Sequence, residues 1–211
     1  MPLEDFRQLI QNHFYINLDR RTDRRDNCIK ELLKWDIIPN RFSAIHNKVG
    51  IIGCGMSHLK CLQIAKEKRY PYVAIFEDDI VIPKPRQVEN IVNRIIKSGV
   101  EWDVILLAGN NFKPNKVEKE DYYMVNKCFT TTAYIVREPF YDKMIENLKE
   151  GLIFLMETGD RQFSLDSWWC HLQRENRFLL INPLSIYQRA DYSDIENCNV
   201  DYISLMLNDN K

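Results

Sequence analysis

The stretch YVAIFEDDIVIP, residues 72–83, runs from five apolar residues into three consecutive carboxylates and back into apolar ones. A short continuous apolar run predicts a strand buried on both faces. Three adjacent like charges repel and resist desolvation, so their adjacency is costly unless something positive lies between them. Two readings fit: a strand end followed by a solvated acidic turn, or acids gathered around a cation.

Outward from this stretch the chain alternates. HFYINLD (13–19) reads as a strand, and a helix capped by Thr22 or Asp23 runs to about Trp35 with Cys28, Ile29, Leu32 and Leu33 on one face. RFSAI (41–45) is a second strand, and residues 50–70 open with three glycines before turning helical. Beyond residue 83, Val88, Ile91, Val92, Ile95 and Ile96 form a helical stripe that Gly99 ends, and WDVILLAG (102–109) is a fourth apolar strand. Strand and helix in strict alternation predict an α/β fold, a mostly parallel sheet with helices on both faces. The second half is mixed: strands in YYMVNK, FTTTAYIV and RFLLINPLSIYQ, a helix in EPFYDKMIENLKEG, and a short helix begun by Asp166 or Ser167.

At 211 residues, without repeat or Gly/Ser linker, the chain is expected to form one domain over 1–211. A net charge of −1 gives no general attraction to nucleic acid, so anion recognition must be local. Six cysteines without a CxxC pair read as reduced, mostly buried thiols, and Cys170-His171 offers zinc only two adjacent ligands. MPLEDFRQLIQNH has no basic leader with an apolar core, and no apolar run reaches bilayer length. A cytoplasmic protein without a transmembrane segment, able to associate peripherally with a membrane, is expected.

Ligands of open α/β sheets gather at the carboxyl ends of strands, where Glu77, Asp78 and Asp79 would stand. Alternation along a continuing strand sends Glu77 and Asp79 to one side and Asp78 to the other. Two carboxylates on one side suit a hard divalent cation that also holds phosphate oxygens. Arg20, Arg21, Arg24 and Arg25 follow the first strand, where they fit either phosphate or the charge balance of Asp19, Asp23 and Asp26. Gly50, Gly53 and Gly55 would let a ligand approach closely, without a Walker lysine or GxGxxG beside them.

These segments carry a resemblance. INLDRRTDRR, RFSAI, GCGMSHLKCLQIAKEKRYPYVAIFEDDI, TTAYIV, SLDSWW, PLSIYQ and YSDI, in this order over nearly the whole chain, resemble glycosyltransferase family 25. That family includes lipopolysaccharide and procollagen galactosyltransferases. The resemblance implies a GT-A fold and an inverting transfer of galactose or glucose from a UDP-sugar to a glycan, glycolipid or glycoprotein hydroxyl. It also implies a nucleotide-binding half over about 10–110, an acceptor-side half over about 111–205, and Mn2+ or Mg2+ at the acidic motif. By position, Asp79 would touch the metal, with Glu77 on the metal or the ribose and Asp78 beside the nucleotide. Asn17, Leu18, Arg21, Arg24, Ala44, Ile45 and Ser57 would hold the nucleotide, and His58 would face the diphosphate or serve as a structural histidine.

Asp166 matches the family's late acid and is the expected catalytic base or, alternatively, a helix cap, with Asp160 and Glu157 as substitutes. One of Trp168 and Trp169 could cover a sugar face and the other enter the core; Tyr134 is an acceptor wall or packing. In place of a late metal-binding histidine, Gln188, Asp191 and Asp194 are available, Asp194 being the expected third ligand. A nucleotidyltransferase or an inactive sugar-nucleotide-binding module would draw on the same residues.

Overall fold

A computed structural model describes residues 5–208 of the chain. The ends of the expected 1–211 domain, residues 1–4 and 209–211, lie outside the described residues. At its centre is an eight-stranded sheet in the order Arg41–Ser43, His13–Asn17, Tyr72–Glu77, Ala133–Arg137, Val104–Leu106, Phe178–Ile181, Tyr122–Met124, Val117–Glu118. The first three strands are mutually parallel, as are Val104–Leu106 and Phe178–Ile181. Ala133–Arg137 runs antiparallel between Tyr72–Glu77 and Val104–Leu106. The two halves of the chain therefore share one sheet.

Side chains alternate across this sheet as the pleat requires. Ala74, Phe76, Ile105, Ile135 and Leu179 pack on one face with Cys28 and Leu32 of the helix Thr22–Leu33 and the Val88, Ile91, Val92 and Ile95 stripe of the helix Pro85–Lys97. Val73, Ile75, Val104, Leu106, Tyr134 and Leu180 pack on the other with Cys61, Leu62 and Ala65 of the helix Gly50–Glu67 and Met144, Ile145 and Leu148 of the helix Tyr141–Thr158. Each fully buried aliphatic side chain contributes about 1.5–3 kcal/mol of transfer free energy, so the two-sided core is the main source of stability.

Three local expectations are corrected. Arg21, not Thr22 or Asp23, occupies the cap position of the first long helix and makes no side-chain cap bond. Gly50, Gly53 and Gly55 lie inside a helix that starts at Gly50, and the close approach they permit is to the chain itself. A Cβ on Gly53 would stand 2.5 Å from the Ile45 carbonyl oxygen, and one on Gly50 2.9 Å from that of Asp194. The late short helix Leu165–Trp168 follows Ser164 at its cap, which puts Asp166 in the first turn. Gly99 does end its helix, with φ of +68°.

None of the six cysteines, all among the described residues, forms a disulfide. No helix among the described residues is long and apolar enough to cross a membrane.

Candidate active site

The strand that carries the acids stops at Glu77, and Asp78-Asp79 form a turn before the short strand Ile80–Val81, which pairs with Tyr187–Gln188. This turn overturns the alternation expected for Asp79. Glu77 follows the pleat toward the helix Gly50–Glu67: its Oε1 accepts from Thr131 Oγ1 at 2.6 Å and lies 3.4 Å from His58 Nε2, and its Oε2 accepts from Gln188 Nε2 at 3.0 Å. Asp78 and Asp79 meet the opposite helix together. Arg24 Nη1 donates to Asp78 Oδ1 at 3.0 Å and to Asp79 Oδ2 at 3.2 Å. Two positive or donor-bearing helices, one on each face of the sheet, thus balance the acidic run.

The balance is incomplete at Asp79. Its Oδ1 is buried without a hydrogen-bond partner. Burial, reinforced by the negative charge of Glu77 and only partly offset by Arg24, pushes the Asp79 carboxyl up to about 8. Burial also acts against ionised Glu77, but the His58 ring nitrogen 3.4 Å away and the hydrogen bonds from Thr131 and Gln188 outweigh that cost and lower its pKa. Asp78 is raised, mainly by burial, despite its contacts with Arg24 and Asn17. The acid run therefore sets one carboxyl held below its ordinary range beside one pushed up to about 8.

Leu18, Arg24, Ala44, Ile45, Ser57, His58, Glu77, Asp78, Asp79, Asp166 and Asp194 all line one cavity of about 510 Å³ at the carboxyl ends of the parallel strands. That volume lies within the range of small-molecule sites. Ser57 pins the cavity wall, accepting from the Ile45 N–H at 2.8 Å and donating to the Gly53 carbonyl at 2.7 Å. Asp166 Oδ2 accepts from the Thr130 N–H at 3.1 Å and Oδ1 from Ser164 Oγ at 3.2 Å, which fixes its carboxylate within the cavity lining.

Several expected site residues act from behind the wall. Asn17 is buried and uses its amide on Asp78 Oδ2 (2.7 Å), the Arg21 carbonyl (2.9 Å) and Arg41 (3.0 Å). Arg21 is engaged by Asp23, Asp191 and Asp194. Neither is among the residues lining the cavity. Asp194 bonds Arg20 through Oδ1 and Arg21 through Oδ2, each at 2.8 Å, so ligating a metal would require breaking ion pairs. Asp191 is likewise shared by Arg21 and Arg24.

Asp160 caps Gln162 and is exposed, as is Glu157, and neither lines the cavity. Neither tryptophan lines it. Trp169 is in the core, donating to the Cys128 carbonyl at 2.9 Å, and Trp168 meets Phe154 and His171 edge-to-face and Phe163 at a tilt. Tyr134 is fully buried, its hydroxyl 2.8 Å from His58 Nδ1. The sequence reading missed Thr131 and Cys54 at this site; the i,i+4 spacing of Cys54 and His58 was the available signal.

The model of glycosyltransferase family 25 (LPS biosynthesis protein) matches residues 48–155. The chain is 20% identical over 227 residues to procollagen galactosyltransferase 1 of Danio rerio, covering 89% of this chain and 38% of that protein. A solved glycosyltransferase involved in the glycosylation of the major capsid of PBCV-1 superposes with a TM-score of 0.50 at 11% identity, over 82% of this chain and 81% of the other. At that identity the likeness is one of fold, the GT-A α/β fold.

Proposed function

Because the chain belongs to glycosyltransferase family 25, we propose that it moves a hexose from a UDP-sugar to a hydroxyl of a glycan, glycolipid or glycoprotein, inverting the anomeric centre with the aid of a divalent cation. The observation that carries the reading is the convergence of Glu77, Asp78, Asp79, Arg20, Arg24 and Asp166 on one cavity of about 510 Å³. The procollagen galactosyltransferase relative, of which the chain spans 38%, makes galactose the first donor sugar to test.

A hard cation fits the donors present, since Asp79 Oδ1 is a buried carboxylate oxygen without a partner and Glu77 is ionised beside it. Asp79 and Glu77 would hold it, and when bound it supplies neutralisation of the charge growing on departing UDP. Arg20 and Arg24, both lining the cavity, favour the diphosphate by charge-assisted hydrogen bonds. Leu18, Ala44 and Ile45 provide wall for the nucleoside, and Ser57 holds Ile45 in position. Asp166 takes the acceptor hydroxyl proton as the oxygen attacks the anomeric carbon from the face opposite the leaving group. Its two anchoring bonds aim the carboxylate while leaving lone pairs for that proton.

The test is a panel of UDP-sugars read as UDP release with and without Mn2+. Metal-dependent release from UDP-galactose or UDP-glucose is expected. Turnover of a nucleoside triphosphate with pyrophosphate release would instead mark a nucleotidyltransferase, and UDP binding without turnover of any donor would mark an inactive module.

A further inference from the structure

One group of side chains in the cavity is chemically unlike the acidic motif. Cys54 and His58 stand one helical turn apart on the helix Gly50–Glu67, and Cys54 Sγ, a His58 ring nitrogen and a Glu77 oxygen all lie within 4.8 Å of one another. His58 is fully buried, and its Nε2 has no hydrogen-bond partner of normal geometry; the nearest acceptor, Glu77 Oε1, is 3.4 Å away. An unpartnered ring nitrogen in the interior costs about 1–3 kcal/mol, so the arrangement calls for something to bind it.

We propose that Cys54, His58 and Glu77 form a second cation site, suited to a soft divalent ion of the zinc class and distinct from the hard-cation site at Asp79. The donor set is the first reason. Sulfur, imidazole nitrogen and one carboxylate oxygen match zinc or cobalt, whereas Mn2+ and Mg2+ favour oxygen alone. Distance is the second. Zinc bonds of about 2.0–2.3 Å in a tetrahedron put neighbouring ligand atoms roughly 3.3–3.8 Å apart, and the His58–Glu77 pair is already at 3.4 Å.

The supporting shell is the third. The Tyr134 hydroxyl holds His58 Nδ1 at 2.8 Å with the two rings stacked, while Thr131 and Gln188 fix the Glu77 carboxylate. Three protein ligands leave the fourth position facing the cavity that all three residues line. Binding replaces the Cys54 S–H bond with a sulfur–metal bond and releases the proton to solvent, with no change of oxidation state. His58 then carries its ring proton on Nδ1, facing the Tyr134 oxygen.

The site shares Glu77 with the proposed transferase centre, yet its readout needs no nucleotide sugar, so the two readings fail separately. The full chain, stripped of metal, is titrated with Co2+ alone. A thiolate-to-cobalt charge-transfer absorption saturating at one equivalent is expected, reversed by Zn2+. Asp79→Asn and Cys198→Ser keep the band. Cys54→Ser loses it and weakens Zn2+ binding by more than the roughly 10- to 100-fold that loss of an outer-shell partner costs. X-ray absorption of the zinc-loaded wild-type chain needs no variant to fold and is expected to show one sulfur among the ligands. Absence of the band, its survival in folded Cys54→Ser, its loss in folded Asp79→Asn, or a sulfur-free zinc shell overturns the proposal.

Discussion

Arg24 donates to Asp79 through Nη1 at 3.2 Å and leaves the other carboxylate oxygen of Asp79 buried without a partner. The same guanidinium reaches Asp78 and Asp191. Arg24 and Asp79 are only 12% and 13% exposed, so their contact is poorly screened. Replacing Arg24 by Met leaves these acids uncompensated and, above the Asp79 pKa of about 8 where that carboxyl is ionised, is expected to destabilise the fold by about 3–5 kcal/mol, the range for one partner removed from a buried ion pair. Urea denaturation measures the loss; adding Asp79→Asn should recover part of it.

Asp79 also sets a pH dependence. Its folded pKa of about 8 lies above the ordinary 3.8, so between these values the folded state binds more protons than the unfolded one. The stability Asp79 contributes is complete below the unfolded value and is lost as pH rises through the folded one. Denaturation midpoints should therefore fall across this window, less steeply in Asp79→Asn. Mn2+ affinity should move the other way, rising with pH as the competing proton leaves, and calorimetry in buffers of different ionisation enthalpy should detect proton release.

Ser57 is expected to act on position and not on chemistry. Ser57→Ala removes the acceptor for the Ile45 N–H, a part-buried contact whose loss costs about 1–3 kcal/mol. KM for the UDP-sugar should rise several-fold with a smaller change in kcat. Gly53→Ala, whose Cβ would strike the Ile45 carbonyl, should move the same wall and raise KM further.

Asp166→Asn keeps the carboxamide oxygen available to Thr130 and removes the base. A fall in kcat of about 10²–10⁴, typical for loss of general base catalysis, is expected with UDP binding unchanged. Asp160→Asn and Glu157→Gln, both exposed and away from the cavity, should leave turnover within twofold, or roughly 0.4 kcal/mol.

Much of this architecture was legible in the sequence, because alternating strand and helix periodicities are local. Periodicity does not report direction or neighbour, so the antiparallel entry of Ala133–Arg137 between two parallel strands could not be read from TTTAYIV. The acids were found by their position at a strand end, and an acidic turn was one of the two readings of them, but not that this turn is buried and carries Asp79 from the side of Glu77 to that of Arg24. Asn17 and Arg21 were found as members of a motif. Whether such polar residues face a ligand or hold one another depends on contacts across more than 60 positions, such as Asn17 to Asp78 and Arg21 to Asp194.

The central claim is that a divalent ion binds the buried Asp79 carboxylate and Glu77 and anchors the diphosphate of a nucleotide sugar. Crystals grown with Mn2+ and UDP, measured for manganese anomalous scattering, test it directly. The account predicts a single strong peak in contact with Asp79 Oδ1 and a UDP phosphate oxygen, with Arg24 turned toward the phosphates. UDP bound in the cavity with no peak there, or a peak seated only on Asp191 and Asp194, would contradict it.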